Sequence, residues 1–154
     1  MRKLVEDTLR LLDPEIKYTQ NAAELCLGTI AQESAYGKYR KQIGGGPGLG
    51  IVQMEPETFN DCVDNFLVYR QPLANKIKEI SRVKLFNAAD LEKNDKLAIC
   101  FMRVKYMRDS KPIPETLDGW AEYWKRVYNS AHGAGKPTEY VYNYKFYVQK
   151  ESLV

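Results

Sequence analysis

Glu33 closes a stripe of residues at helical spacing. Cys26, Thr29, Ile30 and Glu33 stand at i, i+3, i+4 and i+7, so one helix face carries three packing residues and then a carboxyl. A carboxyl set against apolar neighbours loses hydration, which disfavours its charged form and raises its pKa. That is the condition for a general acid, which must still hold a proton near neutral pH. An isolated Glu is more often solvated, but the segment Gly50-Ile51-Val52-Gln53-Met54-Glu55-Pro56-Glu57-Thr58 follows it across a glycine-rich bend. One acid on a rigid element, facing a loop with polar groups, is the layout that cleavage of a sugar chain needs.

A mechanism with a second carboxylate has three candidates within reach by sequence: Glu55, Asp61 and Asp64. An inverting glycosidase places its two carboxyls about 6.5–9.5 Å apart. Each candidate also has a plainer role. Glu55 and Glu57 complement a helix N-terminus, and Asp61 and Asp64 fit a solvated face. Other chemistries fare worse. His132 is the one histidine, and no Cys or His pair has a metal-ligand spacing, so no metal and no cofactor is expected. A serine or cysteine hydrolase would have only that loop histidine as its base. The glycine-rich segment is no phosphate loop, since no Gly-Lys-Ser/Thr ends it and no strand precedes it.

The elements that must position these groups are helical almost throughout. A first helix near 3–12 ends at Asp13-Pro14, because the residue before proline is pushed from helical geometry. Asn21 with Glu24 three positions on reads as a capping box that starts the Glu33 helix. Gly37, Gly44, Gly45, Gly46, Pro47, Gly48 and Gly50 forbid a regular helix over 37–50 and predict a bend or short hairpin. Pro56 suits the first position of a helix running to about Tyr69, and Pro72 starts a shorter one. Asn94 caps Leu97-Ala98-Ile99-Cys100-Phe101-Met102, apolar nearly all round and so the central buried helix. Thr116 caps another, lined by Leu117, Trp120, Trp124, Val127 and Tyr128 and leading to a bend at Gly133-Ala134-Gly135. A last helix starts near Thr138. Aromatics at helical spacing are usually core, so Trp120, Trp124, Phe59 and Phe66 are assigned there.

At 154 residues the chain is long enough for one domain with one core, 1–154. Hydrophobic residues at 44% and charged residues at 28% fit an ordinary globular protein, and the apolar runs fall short of a membrane span. A formal charge of +3 is too small and scattered to announce nucleic-acid binding, yet it favours an anionic polymer such as bacterial cell wall. Cys26, Cys62 and Cys100 are odd in number and lie in apolar helical patterns, which reads as reduced packing cysteines. Met1-Arg2-Lys3-Leu4-Val5-Glu6-Asp7 turns acidic after two basic residues and offers no apolar signal core.

Glu33-Ser34, then Gly50-Ile51-Val52-Gln53-x-x-Pro56-x-Thr58, then Val127-Tyr128-Asn129-Ser130-Ala131 give the chain a resemblance to the soluble lytic transglycosylases, relatives of goose-type lysozyme. The family's signatures are Glu-Ser, Gly-Leu-Met-Gln-x-x-Pro-x-Thr and Ala-Tyr-Asn-Ala-Gly, and the three segments stand in that order over roughly residues 20–135. The stretches around Gln53 and from Trp124 to Asn143 are most similar to bacteriophage versions. The resemblance implies a mainly α, lysozyme-like single domain that cuts the β-1,4 bond between N-acetylmuramic acid and N-acetylglucosamine in peptidoglycan. It implies Glu33 as the catalytic acid and Ser34 as its partner. Gln53 would contact sugar, and Tyr128 and Asn129 would form the opposite wall.

Two positions depart from the pattern. Gly44 stands where the family often has Ser, and Glu55 stands where a Met is usual, which brings a carboxylate toward the substrate. In the transglycosylase route one Glu protonates the glycosidic oxygen, the substrate's acetamide assists, and its 6-hydroxyl closes an anhydro ring. An inverting lysozyme-type hydrolase is the alternative, and a non-catalytic wall-binding or virion structural protein is the alternative of another class. The implied partner is the peptidoglycan glycan strand, bound by a monomer. Without a signal segment the protein would be made in the host cytoplasm and reach the wall as a phage endolysin or as a virion component.

Overall fold

Four short polar side chains fix where helices begin. The Thr19 hydroxyl accepts from the Ala22 N–H, Asn87 from Ala89, Asn94 from Leu97 and Thr116 from Gly119, each satisfying a donor that a helix start leaves open. In the computed structural model, which describes residues 1–41, 45–129 and 133–153, these starts organise a mainly α single domain. Helix α1 spans Arg2–Leu12 and stops at Asp13, which is extended ahead of Pro14 as the sequence predicts. Helix α2, Gln20–Ser34, carries Glu33 near its C-terminus.

The expected Asn21/Glu24 capping box is not what starts α2. Thr19 takes that role, and Glu24 turns inward, only 8% exposed. There its carboxylate accepts from Arg2 at 2.5 and 2.8 Å and from the Tyr144 hydroxyl at 2.5 Å. A buried carboxylate with a guanidinium beside it is held far better than one capping an exposed amide, so tertiary pairing overrides the local motif.

Helix α3, Pro56–Asn65, is shorter than the run to Tyr69 that periodicity predicts. Phe66 leaves helical geometry at φ −136° and ψ −62°, and a 3-10 turn, Leu67–Tyr69, follows. Helix α4 is Gln71–Ser81. A 3-10 turn at Ala88–Glu92, which the sequence pattern does not announce, leads into α5, Asp95–Met107. Residues Leu97 through Met102 of α5 are all fully buried, so the expectation of a central helix holds. Helix α6, Leu117–Tyr123, runs on as a π-helical segment, Trp124–Asn129. Helix α7, Pro137–Asn143, does the same over Tyr144–Gln149 and closes with Lys150–Ser152.

Among the described residues there is no strand. The glycine-rich segment makes two isolated antiparallel bridges, Lys41 with Leu49 and Leu49 with Met54. Gly44, and with it the question of the missing family serine, lies outside the described residues, as do Ser130, Ala131 and His132.

A single apolar cluster joins α1 through α7, with Phe59 stacked on Phe101 at 4.0 Å between centroids. Cys26, Cys62 and Cys100 are free and buried, the packing role expected of them. Helix α7 crosses α2 at Gly28, where the Tyr140 hydroxyl donates to the Leu25 carbonyl at 2.8 Å; any larger residue at 28 would overlap that phenol. No helix among the described residues is long and apolar enough to cross a membrane.

Candidate active site

The end of α2 and the bend after it are tied together by one hydroxyl. Ser34 Oγ donates to the carbonyls of Ile51 at 2.6 Å and Ile30 at 3.0 Å, and the Gly37 N–H donates back to it at 2.9 Å. At 1% exposure it touches no cleft. The residue expected beside the substrate is instead a pin that fixes residue 51 against the helix bearing Glu33.

The bend itself is tight. Leu49 and Met54 exchange backbone hydrogen bonds at 3.0 and 3.2 Å, and the Gln53 N–H closes the turn on the Gly50 carbonyl at 3.1 Å. Gln53 sits at φ 49°, a left-handed conformation that a non-glycine residue adopts at a cost. Its amide NH2 donates to the Gly50 carbonyl at 2.9 Å. So Gln53 reaches the cleft with one of its two amide N–H groups engaged by the bend.

Beside these residues lies a cavity of about 510 Å³, open at one side, with Glu33, Gln53, Glu55, Tyr128 and Asn129 among its walls. The structure therefore brings together five of the six site residues singled out from sequence, and Ser34 is the exception. Helix α2 supplies Glu33, the bend supplies Gln53, the start of α3 supplies Glu55, and the π-helical segment after α6 supplies Tyr128 and Asn129.

Burial of Glu33 pushes its pKa up from the ordinary carboxyl value to about 7, and a hydrogen bond donated by the Trp124 indole N–H, 3.0 Å from Oε2, pulls weakly the other way. Glu33 therefore keeps its proton to a higher pH than an ordinary carboxyl does. An acid must be protonated to act, so activity that depends on Glu33 declines as pH rises through about 7. A pH–rate profile whose alkaline limb fell well away from that value would break the link between Glu33 and the chemistry.

Tyr128 is held by α5 and the bend. Its hydroxyl donates to the Val52 carbonyl at 2.7 Å and its ring lies 5.4 Å from that of Tyr106. The phenol therefore locks the cleft wall. Tyr128→Phe is expected to lower stability by about 1 kcal/mol, the net value of one hydrogen bond, and to slow turnover by loosening residues 51–53. Thermal melts beside initial rates check this, and a variant unchanged in both would show the bond to be idle.

Two residues at the site escape sequence reasoning. Trp124 is fully buried, as a core assignment expects, yet it is also the hydrogen-bond partner of Glu33. The signal that could have found it is its i, i+4 relation to Tyr128, which places both on one helical face. Lys125 donates to Asn129 Oδ1 and to the Gly133 carbonyl, both at 2.8 Å, and so ties those two residues together.

The other carboxylates separate by position. Glu55 is exposed at the N-terminus of α3 and makes no side-chain cap, while Asp61 is engaged by Arg108 at 2.6 Å outside the cleft. Asp64 is exposed on the surface of α3. No group of three or more His, Cys, Asp or Glu side chains among the described residues is arranged to hold a metal ion. No protein-family model, curated protein or solved structure matches the chain.

Proposed function

We propose that the protein cleaves the β-1,4 bond between N-acetylmuramic acid and N-acetylglucosamine in peptidoglycan, as a lysozyme-like lytic transglycosylase with Glu33 as its one catalytic acid. The observation that carries this reading is a carboxyl whose pKa is pushed up to about 7 by burial and which is set in the wall of a cavity of about 510 Å³. The order of Glu33, Gln53 and Tyr128-Asn129 along the chain supports the same reading, since all three segments converge on that cleft.

In this mechanism Glu33 gives its proton to the glycosidic oxygen as the bond to the anomeric carbon breaks. The substrate's own acetamide stabilises the carbon left behind. The carboxylate, oriented by the Trp124 indole, then takes the proton of the 6-hydroxyl as that oxygen closes the anhydro ring. No second carboxyl is required, and no cofactor enters.

A hydrolase is the second reading, and Glu55 is the reason to keep it, because it shares the cleft with Glu33. Glu55→Gln separates the two. If Glu55 only complements the α3 N-terminus, the change costs less than about 1 kcal/mol and leaves anhydro ends on the products, which is the expected result. Loss of activity in a folded Glu55→Gln protein, with reducing ends in the parent's products, would make it an inverting hydrolase.

Clearance of a suspension of purified peptidoglycan tests the function as a whole. Turbidity is expected to fall with the parent protein. A suspension that stays turbid while the protein sediments with the wall would favour a non-catalytic wall binder, and a virion structural role would be left if it did neither.

A further inference from the structure

A second cavity, of about 380 Å³, opens on the far side of Lys105, whose side chain also lines the 510 Å³ cleft. Lys105 stands in the last turn of α5 and Arg108 just beyond it, while Arg126 comes from the π-helical segment. The two arginines are matched. Arg108 pairs with Asp61 at 2.6 Å, and Arg126 makes a two-pronged pair with Asp109 at 3.0 and 3.1 Å. Lys105 has no such direct pair: among the described residues its partly exposed ammonium makes no hydrogen bond and no ion pair, and its charge acts only at longer range, on Asp61 and Cys62. Nor does it serve the acid, since burial and the Trp124 indole are what shift Glu33.

A cation with no direct partner, lining both the cleft and a side cavity, suits a carboxylate in a peptidoglycan complex. The sugar backbone is uncharged, and the wall's carboxylates hang from the muramic acid, on its lactyl group or on the stem peptide attached there. Resting on the function proposed above, we infer that Lys105 and the cavity behind it bind a carboxylate carried by the muramic acid substituent, with the stem peptide as the occupant that reaches past Lys105 toward Arg108 and Arg126. The two paired arginines present further N–H groups to such an anion while Asp61 and Asp109 hold them in place. This makes Lys105 a specificity residue for peptide-bearing wall.

The test is binding, measured by calorimetry on the full chain carrying Glu33→Gln so that nothing is turned over. Three probes are used: glycan fragments bearing stem peptides, the same fragments stripped by an amidase so that the lactyl carboxylate is free, and a chitin oligosaccharide of equal length with neither. Peptide-bearing glycan is expected to bind tightest. Adding Lys105→Gln should cut its affinity about tenfold, the scale of one charge-assisted hydrogen bond, and so narrow its margin over chitin, while Lys105→Arg restores the margin. A loss confined to the peptide-bearing probe identifies the stem as the contact, whereas a loss confined to the stripped probe identifies the lactyl carboxylate, which is an amide in peptide-bearing glycan, and overturns the stem as the occupant.

A Lys105 that merely complements the α5 C-terminus would lower the melting temperature and leave the margin over chitin unchanged, which overturns the inference. Equal binding of all three probes overturns it too, with wall clearance by the parent protein still standing. If the parent neither clears wall nor binds any probe, the glycosidase reading fails and the subsite falls with it.

Discussion

Glu33→Gln is expected to lower wall-cleaving activity at least ~100-fold, the scale of general acid catalysis, while the protein stays folded. Gln keeps the size of the side chain and can still accept from the Trp124 indole N–H, but it has no proton to give. Stability supplies an independent check, because the pKa of Glu33 is raised from 4.5 to about 7 in the folded state. The folded protein therefore binds the proton more tightly than the unfolded chain. The stability this contributes is fully present below pH 4.5 and is lost as pH rises to about 7. A shift of that size corresponds to an upper value of about 3–4 kcal/mol, reduced by solvent where the carboxyl meets the cleft. The Gln variant has no such loss, so it should gain on the parent at pH 8 and not at pH 4. Near-normal turnover in the variant would remove Glu33 as the acid, and parallel pH–stability curves would show that burial does not raise its pKa.

Gly50→Ala is expected to be the most destabilising single change at the bend. Gly50 has φ +74°, and a Cβ there would sit inside contact distance of the Leu91 backbone carbonyl, which has no rotamer to escape by. The left-handed conformation costs an alanine roughly 1–2 kcal/mol, and overlap with packed atoms typically adds about 1–3 kcal/mol. A total near 3 kcal/mol lowers the melting temperature by about 6–12 °C in a chain this size. Activity should fall with it, because Gly50 also donates to the Arg40 carbonyl at 2.7 Å and accepts both bonds from Gln53. Gly45 is a matched control: it also has positive φ but nothing within 4 Å of its missing Cβ, so Gly45→Ala should bear only the conformational cost. Equal melting temperatures for the two alanine variants would mean that the close approach to Leu91 does not matter.

The parts of this molecule that short-range rules govern could be read directly. The stops at Asp13 and the starts at Pro56, Asn94 and Thr116 depend on residues within one turn, and Glu33 was found because its neighbours on the face lie within the same helix. What the sequence concealed depends on partners far apart in the chain. The Trp124 bond to Glu33 spans 91 positions, and the Arg2 pair that draws Glu24 inward spans 22. Ser34 and Tyr128 illustrate the same limit from the other side. Their types fit sugar contacts, but each hydroxyl meets a backbone carbonyl of the bend, at Ile51 and Val52, and a motif carries no record of where a hydroxyl ends up. Lys105 lies in the helix that the sequence marks as central and buried, and only the packing of α5 beside the cleft sets its side chain on two cavities.

In the proposed reaction Glu33 cleaves glycan with no second carboxyl, and mass spectrometry of fragments released from purified peptidoglycan is the decisive measurement. The expected result is soluble disaccharide peptides ending in 1,6-anhydro-N-acetylmuramic acid, produced by the parent protein and by Glu55→Gln but not by Glu33→Gln. Fragments of the same mass appearing with Glu33→Gln, or no soluble fragments from the parent at all, would contradict it.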